Sequence, residues 1–164
     1  GVKYAYLASE ITYQEMMEIK EKSKISLMAL VLGHPIVSHS RRHLLSSYFT
    51  NYNRKMKRDT YKIVGKNKED VGEYYIREKD HGTSILYGNI LNGTKYLNRL
   101  SNTLEYAILD EQLIDHDLFI KLLGLCQRVL NNEDVFENIK ELIGEDTLFF
   151  ERKTIYKVKK NEKD

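Results

Sequence analysis

ISLMALVLG, residues 25–33, is a nearly continuous apolar run that follows Lys24 and runs into His34 and Pro35. Nine residues is the length of a strand, not of a membrane span. The lack of polar alternation marks a strand covered on both faces, as in a parallel sheet. Upstream, KYAYLA (3–8) is a short run of β-favouring residues. SEITYQEMMEIKEKSK (9–24) places Ile11, Met16, Met17 and Ile19 near helical spacing. Ser9 or Thr12 is positioned to cap that helix, and Thr12 has Glu15 three residues on, the capping-box pattern. A strand, a helix and a second buried strand predict a βαβ unit with a right-handed crossover.

Outward from this unit, Arg41 to about Tyr52 predicts a helix with Leu44, Leu45, Tyr48 and Phe49 on one side. TYKIV (60–64) reads as a strand, and EYYIREKDHGTSILYGNI (73–90) as a hairpin turning at Asp80-His81-Gly82, where glycine supplies positive φ. KYLNRLSN (95–102) is a short helix and LEYAIL (104–109) a strand. DHDLFIKLLGLCQRVLN (115–131) is a helix capped by Asp115 or Asp117, and EDVFENIKELIG (133–144) a last helix stopped by Gly144. TLFFERKTIYKV (147–158) alternates like an antiparallel strand pair.

The fold class expected is α/β: part of a parallel barrel or an open α/β sheet. Three parallel strands cannot close an eight-stranded barrel. The expected divisions are a βαβα segment (1–52), a basic segment with the hairpin insertion (53–92), the last barrel strand with the C-terminal helices (93–145), a terminal β element (146–158) and a tail (159–164).

The 164 residues fit one domain, and 41% hydrophobic with 30% charged residues is the balance of a soluble globular chain. No apolar run approaches the roughly 20 residues of a membrane span, and no secretory leader opens the chain, so a cytoplasmic protein without a membrane partner is expected. The single cysteine, Cys126, lies in an apolar helical run and reads as a buried, reduced, structural thiol. The sequence enters a strand at once after Gly1, as a piece of a longer protein would.

Net charge is only +2, yet Arg41, Arg42, Arg54, Lys55, Lys57, Arg58, Lys62, Lys66 and Lys68 face Asp59 alone over that span. Arg54, Lys55, Lys57 and Arg58 are the RNA-contact candidates. In GHPIVSHSRRHLLSSYF (33–49), His39 and His43 would share a helix face with His34 nearby. A zinc helix of the H-E-x-x-H type needs a glutamate where Ser40 stands, and Arg41 and Arg42 would repel a divalent ion, so no metal is expected. Arg41 and Arg42 at a helix start, with His34, His39 and His81, are candidates for contact with substrate or an anion; the bland alternative is that the histidines bond to backbone. No catalytic residue is assigned. Ser38, Ser40, His39 and Asp80 offer hydrolase chemistry only as composition, without a G-x-S-x-G turn.

At GHPIVSHSRRHLLSSYFTNY (33–52) and KDHGTSILY (79–87), the chain resembles the collagenase-like peptidases of unknown catalytic type, family thirty-two of that class. The matching positions are Gly33, Ser40, Arg41, Arg42, Leu44, Leu45, Ser46, Tyr48 and Phe49, then Asp80, His81, Gly82, Thr83 and Ile85. The resemblance implies the C-terminal half of a TIM-like (β/α) barrel, with the hairpin region inserted before the last barrel strand. Such proteins include prephenate-dependent hydroxylases of the wobble uridine of transfer RNA, and others acting on ribosomal RNA or ubiquinone precursors. Many hold an iron–sulfur cluster on four cysteines. Here Ile36 and His43 stand where two of those cysteines fall, NRKMKRDTYKIV (53–64) contains none, and Leu109 stands where the family has a glutamate. No cluster is therefore expected.

The chain is similar to a cysteine-less branch, so the resemblance implies an accessory or degenerate member in transfer-RNA uridine hydroxylation. Transfer RNA, a paralogous subunit or a second copy are its expected partners. A collagenase-like protease and a non-catalytic scaffold pairing with a cluster-bearing paralogue are the alternatives.

Overall fold

The computed structural model describes residues 1–64 and 73–151. In chain order the elements are β1 (Tyr4–Tyr6), α1 (Tyr13–Lys22), β2 (Ser26–Gly33), β3 (Ile36–Ser40), α2 (Leu44–Asn51), β4 (Thr60–Ile63), β5 (Tyr74–Lys79), β6 (Gly82–Tyr87) and β7 (Leu91–Asn92). There follow a 3-10 turn at Thr94–Tyr96, α3 (Leu97–Leu100), β8 (Leu104–Leu109), α4 (His116–Leu130), α5 (Phe136–Ile143) and a second 3-10 turn at Leu148–Phe150.

The strands form two four-stranded sheets, and no closed barrel forms among the described residues. In the first, β2 runs parallel to both β1 and β8, and β7 adds an antiparallel pair at Leu32 and Gly33. α1 lies between the parallel strands β1 and β2, as the βαβ reading expects. Thr12 caps it through the full capping box, accepting from the Glu15 N–H while Glu15 accepts from the Thr12 N–H. α4 is capped by Asp115, which accepts from Leu118 N–H, and α5 ends on Gly144 at φ +82°. Leu27 and Ala29 of β2 belong to one buried core with Met16 of α1, Phe119, Leu122 and Cys126 of α4 and Ile139 of α5. Burying each large side chain of this kind stabilises the fold by about 1.5–3 kcal/mol.

Burial of β2 on both faces holds only from Ala29 to Gly33. At its beginning the other face carries Met28, in register with Tyr6 and Tyr106. Tyr4, Tyr6 and Tyr106 remain 50%, 57% and 52% exposed, with the Tyr4 and Tyr106 rings 6.3 Å apart across β2. The sheet is one-sided there.

The second sheet is antiparallel, in the order β3-β6-β5-β4. Residues 36–40, expected as loop and helix start, are a strand, and α2 begins at Leu44 instead of Arg41. The free edge of β6 recruits Ile36–Ser40, pairing Ser40 with Thr83 and His39 with Ser84. The β5–β6 hairpin turns at Asp80-His81 as predicted. Gly82 holds φ +120°, and a Cβ there would overlap the Ser40 carbonyl oxygen. The described part of the expected terminal β element is the 3-10 turn at Leu148–Phe150, and the rest of that element and the tail lie outside the described residues. Lys66 and Lys68 also lie outside them.

Candidate functional site

Gly33, His34 and Pro35 carry the chain from one sheet into the other, all three buried. They follow the C-terminal end of β2, the side on which parallel α/β sheets place their ligands. His34 Nδ1 lies 2.8 Å from the Tyr87 carbonyl oxygen, so Nδ1 carries the proton and donates. In the neutral ring, Nε2 is then the acceptor. The ring stands edge-on to Tyr75 at 5.5 Å. It lines a cleft of about 1050 Å³ together with Tyr75, Tyr87, Asn89, Lys95 and Asp146. Glu145, Asp146 and Glu151 outnumber Lys95 on its walls.

Glu151 accepts from Lys95 Nζ at 2.7 Å, from Tyr96 Oη and from Thr147 Oγ1. The Lys95 ammonium chiefly, with these hydroxyls, holds its carboxyl down at about 2. A dicarboxylate would meet net negative charge here. Asp110 follows β8 and its N–H bonds the Leu32 carbonyl; burial first, and then the Asp110 charge, raise the Tyr6 phenol above its ordinary value.

The sequence candidates around α2 fall into different settings. His39 is exposed on β3, with Nδ1 3.0 Å from Ser84 Oγ, so it does not share a helix face with His43. His43 is the N-cap residue of α2, and its Nδ1 lies 3.5 Å from Glu78 Oε1. His81 sits exposed at the hairpin turn, away from His34's buried position. Among the described residues no group of three or more His, Cys, Asp or Glu side chains could hold a metal ion.

Glu78 was not singled out by sequence. It is 5% exposed and accepts from Leu45 N–H at 2.8 Å, Ser46 N–H at 3.3 Å, Ser46 Oγ, and Thr83 Oγ1 at 3.2 Å. Burial raises its carboxyl, but the Ser46, Leu45 and Thr83 donors outweigh this, and the net shift is downward. Its carboxylate therefore occupies the N-terminus of α2, the place where an external anion would have bound. The signal was present in strand parity, because Glu78 follows Tyr74 and Ile76 on one face of β5. Ser46, Glu78 and His43 do not make a hydrolytic triad. The carboxylate takes the serine proton's hydrogen bond directly, where a triad places an imidazole.

Arg41 and Arg42 are exposed and form no ion pair among the described residues. Thr83 Oγ1 shares its one proton between the Arg42 carbonyl at 2.7 Å and the Glu78 carboxylate at 3.2 Å, which ties the backbone beneath the two guanidinium groups to the cap. Arg54, Lys55, Lys57 and Arg58 are exposed on the loop between α2 and β4, also without ion pairs among the described residues. The loop is pinned at both ends: Arg54 N–H bonds the Phe49 carbonyl, and the N–H groups of Lys57 and Arg58 both point to Tyr61 Oη. Nearby charges are already spent, Lys62 on Glu73 and Arg77 on Asp59.

The donor set does not fit a four-thiolate cluster. Cys126 is the only cysteine, and burial in α4 pushes its thiol up to about 11. Ile36 lies exposed on β3 and His43 at the start of α2.

No helix among the described residues is long and apolar enough to cross a membrane. Neither curated proteins nor solved structures return a match to this chain. The family model described as Peptidase family U32 matches residues 1–108, which takes in both sheets as far as Ile108 of β8. Since that match spans about two thirds of the sequence, the chain belongs to peptidase family U32.

Proposed function

We propose that this family member acts in RNA modification, as an accessory subunit in prephenate-dependent hydroxylation of the wobble uridine of transfer RNA. The observation that carries it is the pinned loop with Arg54, Lys55, Lys57 and Arg58, four exposed cations without a carboxylate partner among the described residues. Holding unpaired cations on a fixed backbone costs self-repulsion and gains nothing for the fold, whereas phosphate neutralisation turns it into affinity. The single, buried cysteine supports a role without a cluster of its own. Arg41 and Arg42 add two further exposed cations to the anion-binding surface.

The uncovered sheet face with Tyr4, Tyr6, Met28 and Tyr106 favours the accessory role. In a (β/α) barrel this face would be interior, and a family partner or a second copy would cover it. The test is mass spectrometry of transfer-RNA nucleosides from cells lacking the full-length gene. The expected result is loss of 5-hydroxyuridine derivatives, restored by the wild-type gene but not by one with Lys55, Lys57 and Arg58 changed to Glu. Unchanged nucleosides would remove the hydroxylation role, and cleavage of gelatin by the repurified protein would put a peptidase in its place.

A further inference from the structure

Tyr48 of α2 and Tyr52, the residue that caps its C-terminal end, are two tyrosines that the fold leaves open. They are 52% and 64% exposed, and their rings lie 4.8 Å apart between centroids. Tyr48 stands edge-on to Phe49 at 5.6 Å, and Phe49 packs on Tyr61 at 5.0 Å. Tyr61 Oη is the acceptor that fixes the backbone of Lys57 and Arg58. A row of four rings therefore runs from the end of α2 to the base of the cationic loop, half-buried at Phe49 and Tyr61 and open at Tyr48 and Tyr52. Arg54 and Lys55 follow Tyr52 in the chain after the single residue Asn53.

Core packing explains Phe49 and Tyr61 but not the outer pair. Exposed π faces bordered by unpaired cations match the two requirements of unpaired nucleic acid, whose bases stack while its phosphates seek positive charge. A duplex satisfies only the second, because its bases already stack on one another.

We infer that Tyr48 and Tyr52 form a stacking platform for unpaired RNA bases, with Arg54, Lys55, Lys57 and Arg58 holding the adjoining phosphates. This rests on the RNA role proposed above and deepens it: the chain recognises a single-stranded or looped segment by base stacking, not a helix by its backbone alone.

The experiment measures binding of the full chain to three labelled probes by fluorescence anisotropy. They are a twelve-nucleotide oligouridylate, a strand of equal charge with abasic sites, and an RNA duplex. The expected order is the oligouridylate tightest. Tyr48→Ala and Tyr52→Ala should each weaken oligouridylate binding about 5- to 150-fold, the range of one lost base stack. The abasic strand and the slope of affinity against salt should stay unchanged. Tyr48→Phe and Tyr52→Phe should bind as wild type, and both positions are exposed enough for the variants to fold. Equal binding of all three probes, or alanine variants that bind like wild type while Lys57→Glu does not, would overturn the platform and leave the cationic loop standing. A wild-type chain that binds none of the probes would overturn the RNA role and the platform with it.

Discussion

Removing the Glu78 carboxylate tests the account of how α2 is held. In Glu78→Gln the side chain keeps its shape, but one oxygen becomes an NH2 that must face donors. Wild-type Glu78 receives two backbone N–H groups and two hydroxyls, from Leu45, Ser46 and Thr83. Loss of a helix N-cap costs about 1 kcal/mol, and one buried donor left without an acceptor costs about 1–3 kcal/mol more. The sum is about 2–4 kcal/mol, or a fall in Tm of roughly 4–16 °C for a chain of this size. Urea unfolding at pH 7, followed by circular dichroism, measures it. The pH dependence has a definite sign. The folded carboxyl sits below its ordinary value, so its stabilisation is full above the unfolded carboxyl range near pH 4.3 and is lost as pH falls through the lower folded value. The gap between wild type and Glu78→Gln should therefore be constant from pH 7 to about 5 and narrow on further acidification. A variant within about 0.5 kcal/mol of wild type at pH 7, or a gap that widens in acid, would refute the cap.

Gly82→Ala should destabilise by about 2–4 kcal/mol, because φ is +120° and the new Cβ overlaps the Ser40 carbonyl; equilibrium unfolding measures it. Cys126 should resist iodoacetamide at pH 8 in the folded chain and react once urea unfolds it, since burial pushes its thiol up to about 11; mass spectrometry of the alkylated protein reads this out. Thr12→Ala should cost about 1 kcal/mol through loss of the capping box and should lower helicity in step with stability. Glu151 is about half exposed, so solvent screening keeps its contribution below about 1 kcal/mol; with its carboxyl near 2, that share should fade only as pH drops from about 4 toward 2, detectable as a Glu151→Gln difference confined to higher pH.

Local signals carried the first sheet. The Thr12–Glu15 box, the apolar run of β2 and the long periodic stretch of α4 each state their structure within a few residues, and each is found where those signals put it. The errors occur where the deciding partner is far away in sequence. Ile36–Ser40 is mostly exposed, and the β-branched pair Ile36-Val37 is too short a signal to demand a strand; β6, more than forty residues later, imposes one by offering an unpaired edge. With that strand in place, His39 leaves the helix face it would have shared with His43. Likewise no side chain in SRRH accepts from the first N–H groups of α2, although His43 is its N-cap residue, because the acceptor is Glu78, supplied by the neighbouring hairpin.

These two long-range contacts bear on function together. The β3–β6 pairing and the Glu78 cap fix α2 at its N-terminal end, and Arg54 and Tyr61 fix the chain beyond its C-terminal end. A short helix of eight residues has little stability of its own. Tyr48 on this helix and Tyr52 at its C-cap can serve as a fixed platform only because both ends are tied to the second sheet. The Glu78 variant should therefore weaken oligouridylate binding even though Glu78 touches no ligand, and it should do so without altering the salt slope, since the cationic loop is held by Tyr61 Oη and by the Glu78 backbone N–H on the Asp59 carbonyl, not by the Glu78 carboxylate. A steeper or shallower slope in Glu78→Gln would show that cap and loop form one unit, and would break the separation of stacking from phosphate contact on which the platform depends.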